Sequence, residues 1–434
     1  MILRLAVYSA LTCCLISHSS AAIVGTNTPS FPLTQERIQM LPAAQRAAWE
    51  NYLQKSERQR QADKDFFAAE MKAAGVTVST NAPFAKNFGK VPLNAADDWY
   101  AGAEAKHIAD VIVSFQTPAG GWSKHVNLTS HVRAPGERFT SDEASRFLTN
   151  GDLDMPHEMN WNYVGTFDND STTTQLQFLA KVIDALSADA SVKYRTSFMS
   201  GLNYIFASQY PNGGWPQVWP LEGGYHDAIT YNDDAMIHIL ELLNDIASGT
   251  NEYAFTSQKT RDAAAASVQR GIQCVLASQI VVNGHRTVWC QQHDAVTLKP
   301  TSARNYEMPC ACAAESADLT LFLMRIPKPS PEIVASVNAA FDWFQKTAIY
   351  GYTFKFTSLE GRQLVSTPGT GPIWSRYYDI QTDRPIFGDR DKTIHDEVRD
   401  LSAERRKGYS WYGNNPKRVL EHYKLWSKNQ AGQN

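Results

Sequence analysis

The body of the sequence has no run of eighteen apolar residues, which excludes an internal transmembrane helix. It has no basic excess either. Lys plus Arg number 41 against 44 Asp plus Glu, a formal net charge of −3 with a pI near 6.4. Nucleic acid is therefore not an expected partner, and neither is a membrane. Several catalytic signatures are missing: G-x-S-x-G, the P-loop, G-x-G-x-x-G and H-E-x-x-H. No Pro-rich or Ser/Gly-rich linker marks a second domain. Cysteine is scarce, six in 434 residues. What is present is apolar: 43% hydrophobic and 11% aromatic residues make a globular composition with a large core to bury.

The first 22 residues stand apart. Arg4 leads into the apolar LAVYSALTCCLI, too short to cross a bilayer, and Ser20-Ala21-Ala22 puts small residues at a cleavage site. The pattern predicts a signal peptide over 1–22 and a secreted or periplasmic protein. Cys13 and Cys14 would leave with it. For the remaining Cys274, Cys290, Cys310 and Cys312, an oxidising compartment favours two disulfides over zinc.

Residues 34–75 are rich in Ala, Gln, Glu, Lys and Arg and predict one or two surface helices, with Gly75 able to close the last. They belong to an N-terminal extension over 23–95, ahead of a main domain over 96–434. Apolar residues recur at three- and four-residue spacing over 174–186, 194–209, 234–247, 261–279, 316–326 and 332–347, so the fold class is mainly α. Hairpins are expected over 281–290 and 352–361. A weak repeat organises the helices. Gln116, Gln209 and Gln279 each end a helix, and a turn follows that leads to Trp122, Trp215 or Trp289. Such repetition predicts helical hairpins side by side, closing into an α/α toroid with long loops gathered on one face.

Four clusters carry chemistry. Asp168-Asn169-Asp170, followed by Ser171 and three threonines, precedes an amphipathic helix. Helix capping explains one such residue; three consecutive oxygen-bearing side chains also suit a hard cation. Asn232-Asp233-Asp234 stands at a second helix start, where adjacent carboxylates need a dipole or a cation to balance them. Lys299, Arg304 and Glu307 lie in a loop between Pro300 and Pro309. Arg376 and Arg390 sit among Gly, Pro and aromatics in 371–391, a mixture able to grip carboxylates and sugar rings. His285 and His293, flanking Trp289, make a weak metal pair.

Taken together, FDNDSTTTQ, SQYPNGGWPQVWP, ITYNDDAM, LKPTSARNYE and GPIWSRYYDI…IFGDRD resemble the catalytic module of family-10 polysaccharide lyases, the pectate lyases. The resemblance runs from about residue 100 to the C-terminus and implies an α/α toroid. It implies calcium-assisted β-elimination on polygalacturonate by a monomer. The C5 proton of a galacturonate is only weakly acidic, and Ca²⁺ on the neighbouring carboxylate withdraws the charge that develops when the proton leaves. By the same resemblance Arg304 is the base. An arginine is ordinarily always charged, so this role asks for cation-rich surroundings and alkaline pH. Calcium would be held by Asp168 and Asp233, with Asp170 and Asp234 as neighbours. Substrate would meet Asp168, Asn169, Lys299, Arg376 and Arg390, with Tyr306 and Trp215 as ring contacts or packing. Two other classes fit a helical toroid, a terpene-cyclase-like enzyme and a non-catalytic carbohydrate-binding protein. The first lacks its D-x-D-D motif here, and the retained Arg304 and acidic clusters speak against the second.

Overall fold

The computed structural model describes residues 23–86, 91–141, 151–155, 157–158, 161–357 and 361–431. The proposed signal segment lies outside them. Helices dominate. α1 (Gln35–Gln39) and α2 (Ala43–Ala73) form the N-terminal part. α3 (Ala103–Ser114), α4 (Thr173–Ala185), α5 (Val192–Ser208), α6 (Ala235–Ser248) and α7 (Gln258–Ser278) follow. Then come α8 (Ala313–Arg325), α9 (Pro331–Thr347), α10 (Ala403–Gly408) and α11 (Pro416–Ala431). The six periodic segments read from sequence become α4 to α9, shifted by no more than three residues. Both expected hairpins form, Val281–Val282 with His285–Arg286 and Tyr352–Thr357 with Gly361–Ser366. Among the described residues, no helix is long and apolar enough to cross a membrane.

Local chemistry sets the helix ends. Ser257 and Ser330 accept the Thr260 and Ile333 amides as N-caps, and Pro331 occupies the first turn of α9. Gly249, left-handed at φ 62°, closes α6 by donating to the Asp245 and Ile246 carbonyls.

Helices pack as successive pairs, α4 on α5, α6 on α7 and α8 on α9, with α3 beside the first pair and α11 against the last. The Gln–Trp repeat is the joint between one pair and the next. Gln116 donates to the Gly120 and Ser197 carbonyls, Gln209 to Gly213 and Ser267, and Gln279 to Thr287 and Ser336. Each glutamine thus closes its own turn and ties it to the next long helix. Each repeat Trp drives its indole N–H back onto the preceding helix: Trp122 to the Ile112 carbonyl, Trp215 to Ile205 and Trp289 to Val275. Trp374 does the same to Phe344 and is a fourth copy, which the sequence hid by lacking the glutamine and the glycine pair. Gly201 and Gly271 make room: a Cβ there would fall 2.8 Å from the Trp122 ring and 3.0 Å from the Trp215 ring.

The N-terminal part does not stand off from this body. Trp49 and Tyr52 of α2 are buried against Tyr210, with ring centroids 5.3 and 4.7 Å away. The Tyr52 hydroxyl donates to the Ser208 carbonyl, and Ser56 accepts the Leu221 amide.

The expected disulfides are absent. Cys274, Cys290, Cys310 and Cys312 are all free and buried. Cys274 packs beneath Gly214 and bonds to Tyr231, and burial pushes its thiol up to about 12. Cys312 is taken up by a hydrogen bond to Glu315. These cysteines behave as small apolar side chains with a weak donor. The histidine pair forms no metal site either: buried His293 accepts the Cys290 amide at Nε2 and bonds the Leu298 carbonyl through Nδ1.

Candidate active site

Two turns of the same shape stand side by side ahead of α4 and α6. In the first, Asn169 and Asp170 are left-handed, at φ 51° and 62°. In the second, Asp233 and Asp234 are, at φ 49° and 57°. Non-glycine residues rarely adopt this backbone, which costs on the order of 1–3 kcal/mol each and concentrates at functional sites. The turns pack on one another, and their register equates Asp168 with Asn232, Asn169 with Asp233 and Asp170 with Asp234. Capping is not what they do. Thr172 and Asp234 occupy the N-cap positions of α4 and α6, and neither makes a side-chain cap bond.

Asp168 is buried and fully partnered. Lys124 Nζ lies 2.8 Å from its Oδ2, Gln217 donates to Oδ1 at 2.8 Å, and Asn169 donates to Oδ2 at 3.0 Å. Burial opposes its charge, but Lys124 and Gln217 outweigh that and hold the carboxyl below its usual range. Lys124 in turn sits 3.5 Å over the Tyr163 ring. Among the described residues, Asp233 accepts only from Asn232, at 2.9 Å. Its surface area is exposed, yet crowding by protein and the Asp168 charge push it up to about 6, against the pull of Arg376. The outer members face elsewhere. Exposed Asp170 pairs with His238 at 2.7 Å. Asp234 looks toward Asp318 and Glu315 on α8, and burial with those charges raises it to about 7.

The opposite wall is cationic. Arg304 grips Glu307 through two bonds, Nε to Oε2 at 2.8 Å and an Nη to Oε1 at 2.5 Å. Glu307 also accepts from Tyr409 at 2.7 Å. Burial disfavours the guanidinium charge, but Glu307 more than offsets this and holds Arg304 well above its ordinary value. The expected lowering by neighbouring cations is therefore reversed in this state of the protein. Arg376 donates to Glu315 at 2.7 Å and to Asn232 at 3.2 Å, while its buried Nε has no partner. Arg390 pairs with Glu404. Tyr306 is almost wholly buried beneath three guanidiniums, Arg405 at 4.2 Å, Arg304 at 5.1 Å and Arg390 at 5.2 Å from its ring. It is a platform for arginines. Trp215 is a core residue of the repeat, fully buried. Lys299 is exposed and outside the cavity.

These walls enclose a cavity of about 210 Å³ lined by Lys124, Tyr163, Asp168, Asn169, Gln217, Asn232, Asp233, Gln291 and Arg304. A second cavity, of about 220 Å³, begins at Asp233 and runs past Arg376 and Glu315 to Tyr412. Asp233 is the shared wall. Sequence reasoning missed Lys124, Gln217, Gln291, Glu315 and Arg405. Four cavity residues had a signal in plain view. Lys124, Gln217, Gln291 and Arg376 each lie two positions after a repeat Trp, so each turn swings its second side chain into the cleft. Among the described residues, no three His, Cys, Asp or Glu side chains are gathered as a metal cage. Asp168 and Asp233 supply two carboxylates whose repulsion raises Asp233, a donor pair that a divalent cation would relieve.

The model of the pectic acid lyase family matches residues 116–420. The chain belongs to that family. It is a polysaccharide lyase, and its match covers every residue of the two acidic turns and of the arginine wall. Among solved structures, the family 10 polysaccharide lyase from Cellvibrio cellulosa is similar at 30% identity and a TM-score of 0.63. The likeness covers 80% of this chain and 99% of that one. An aspartate-to-alanine mutant of the same Cellvibrio lyase, in complex with trigalacturonic acid, is equally similar over 76% of this chain and 95% of that one. No curated protein sequence matches the chain.

Proposed function

We propose that this lyase cleaves polygalacturonate by β-elimination, working outside the cytoplasm. The observation that carries the reading is the convergence of Arg304 with Asp168 and Asp233 on one cavity. The Cellvibrio complex with trigalacturonic acid supports the substrate class. Asp168 and Asp233 would hold a Ca²⁺, which supplies charge withdrawal from a uronate carboxylate. Arg376 and Lys124 orient the polyanion from either side. Arg304 takes the C5 proton; the C–H electron pair becomes the C4=C5 bond, and the C4–O bond breaks. The leaving oxygen ends protonated, and no water is consumed. The stacked helical pairs support a toroid, with the joints of the pairs as the floor of the cleft.

The grip of Glu307 on Arg304 favours a second reading, in which Arg304 stays charged and clamps the uronate carboxylate. The experiment follows the near-ultraviolet absorbance of polygalacturonate with purified protein across alkaline pH, with calcium and then chelator. A rise that chelator stops establishes elimination needing a divalent cation; new reducing ends without absorbance refute it. A kcat climbing with pH supports Arg304 as base, and a flat profile supports the clamp. Arg304→Ala is expected to abolish turnover in a folded protein on the first reading.

A further inference from the structure

The Arg304 turn is held from outside the family segment. Residues 303–307 form a tight turn in which Glu307 N–H donates to the Arg304 carbonyl and Ala303 N–H to the Glu307 carbonyl. Three of its carbonyls, those of Arg304, Asn305 and Glu307, converge on one point. Three carbonyl dipoles aimed together repel unless a donor stands among them. That donor is the Asn27 side chain. Its Nδ2 lies 3.1, 3.0 and 3.2 Å from the three oxygens, and the residue is buried. Its backbone N–H donates to the Lys392 carbonyl at 2.7 Å, in the segment that carries Arg390. Ser302 closes the contact by donating to the Thr28 carbonyl.

The strand that delivers Asn27, Ile23–Thr26, pairs antiparallel with Thr393–His395, which pairs with Phe387–Gly388. That last strand lies directly on the Arg304 turn. A Cβ on Gly388 would fall 2.4 Å from the Tyr306 carbonyl oxygen. Asn305 adds a bond to the Arg390 carbonyl at 2.6 Å. One asparagine therefore bridges the backbones behind Arg304, which lines the cavity, and Arg390.

We infer that Asn27 is a positioning residue of the lyase, fixing the turn from which Arg304 reaches the cleft and locking it to the Arg390 segment. The inference rests on the proposed role of Arg304. It explains the residue type. A neutral NH₂ satisfies converging carbonyls, where Ala offers nothing and Asp adds like charge. The segment lies ahead of the family match, so this brace is supplied by the N-terminal extension.

The test compares Asn27→Ala, Asn27→Asp and Asn27→Ser with Val24→Ser, whose side chain is exposed on the same strand. With polygalacturonate and calcium, Asn27→Ala is expected to lower kcat about 10- to 100-fold, the usual cost of a small misplacement of a reacting group. KM should stay within about threefold and the melting temperature within a few degrees, Asn27→Asp should be worse, and Asn27→Ser partly rescued. Val24→Ser should match the parent. Unchanged kcat in Asn27→Ala, or a loss that merely follows melting temperature, overturns the inference. Amide hydrogen exchange decides independently of activity. Asn27→Ala should speed exchange at Ala303, Arg304 and Glu307 at least tenfold and leave α4 unchanged; equal exchange in the two proteins overturns the brace. If the parent makes no unsaturated product while exchange responds, the lyase chemistry has failed and the brace stands. If any variant fails to fold, Asn27→Ser and the exchange measurement carry the decision.

Discussion

Asp168 and Asp233 stand on two copies of one turn and wall the same cavity, yet their surroundings have diverged. Around Asp168, Lys124, Gln217 and Asn169 take three of the carboxylate's acceptor sites and hold it charged, leaving it able to face the cleft. Around Asp233 there is one amide, Asn232, and burial together with the neighbouring Asp168 charge pushes it up to about 6. The repeat made the backbone twice. Exchanging Asp and Asn between the first two positions of the turn then gave one carboxylate paired with a lysine and one with no paired cation among the described residues. The asymmetry suits the proposed site for a divalent ion and a polyanion.

The largest expected effect follows from the satisfied corner. Asp168→Ala takes from half-buried Lys124 the carboxylate it pairs with. Removing one partner of a buried pair costs about 3–5 kcal/mol, so urea unfolding should shift by that order along with a loss of turnover. A variant as stable as the parent would dissolve the contrast.

Asp233→Asn probes the other corner. Nothing buried is orphaned, and a repulsion is relieved, so the melting temperature should hold or rise slightly. Activity should fall at least about 10- to 100-fold, the range for disturbing a metal's surroundings, and the calcium concentration needed for half activity should rise. Loss of stability without loss of activity would reverse the roles assigned to the two carboxylates.

The shared scaffold predicts equal, smaller effects beneath both turns. A Cβ at Gly201 would meet Leu176 and Trp122 at 2.8 Å; at Gly271 it would meet Leu240 at 2.5 Å and Trp215 at 3.0 Å. Overpacking costs about 1–3 kcal/mol, offset by about 1 kcal/mol of helix propensity. Gly201→Ala and Gly271→Ala should each lose up to about 2 kcal/mol in chemical unfolding. A large difference between them would show that the two joints are not equivalent.

How much of this was legible in the sequence varies by element for physical reasons. α4 to α9 were readable because an amphipathic period is a direct image of one buried face. Three of four joints were readable because Gln and Trp recur, while the Trp374 joint kept the Trp alone. The acidic turns were located and read as a cation site with capping as the alternative, but their left-handed backbone was not legible, because caps and left-handed turns draw on the same Asp, Asn and Thr. The partners Glu307, Glu315 and Lys124 were illegible as partners. Pairing across 44 residues, as in Lys124 with Asp168, depends on how the hairpins stack. The cysteine count suggested disulfides, but only packing reveals that all four thiols are free and buried.

A third carboxyl separates the cost of an uncompensated charge from its use. Asp63 on α2 is fully buried with Gln59 as partner, and burial raises it to about 6, as at Asp233. It touches no cavity described above. The folded state therefore holds the Asp63 proton more tightly than the unfolded chain. The stability this lends is complete below about pH 4 and is lost as pH rises through about 6. Asp63→Asn removes the ionisation, but its NH₂ takes the place of an oxygen that has no partner. That new unmet donor costs about 1–3 kcal/mol and cancels most of the gain at high pH. The net effect should be on the order of 1 kcal/mol or less at pH 8. The clearer readout is the slope, since the fall in melting temperature between pH 4 and pH 8 should be shallower in the variant than in the parent. Turnover should be unchanged, which is where Asp63 and Asp233 part. If Asp63→Asn also lost activity at constant stability, a raised carboxyl pKa would no longer distinguish a strained interior from a working site in this protein.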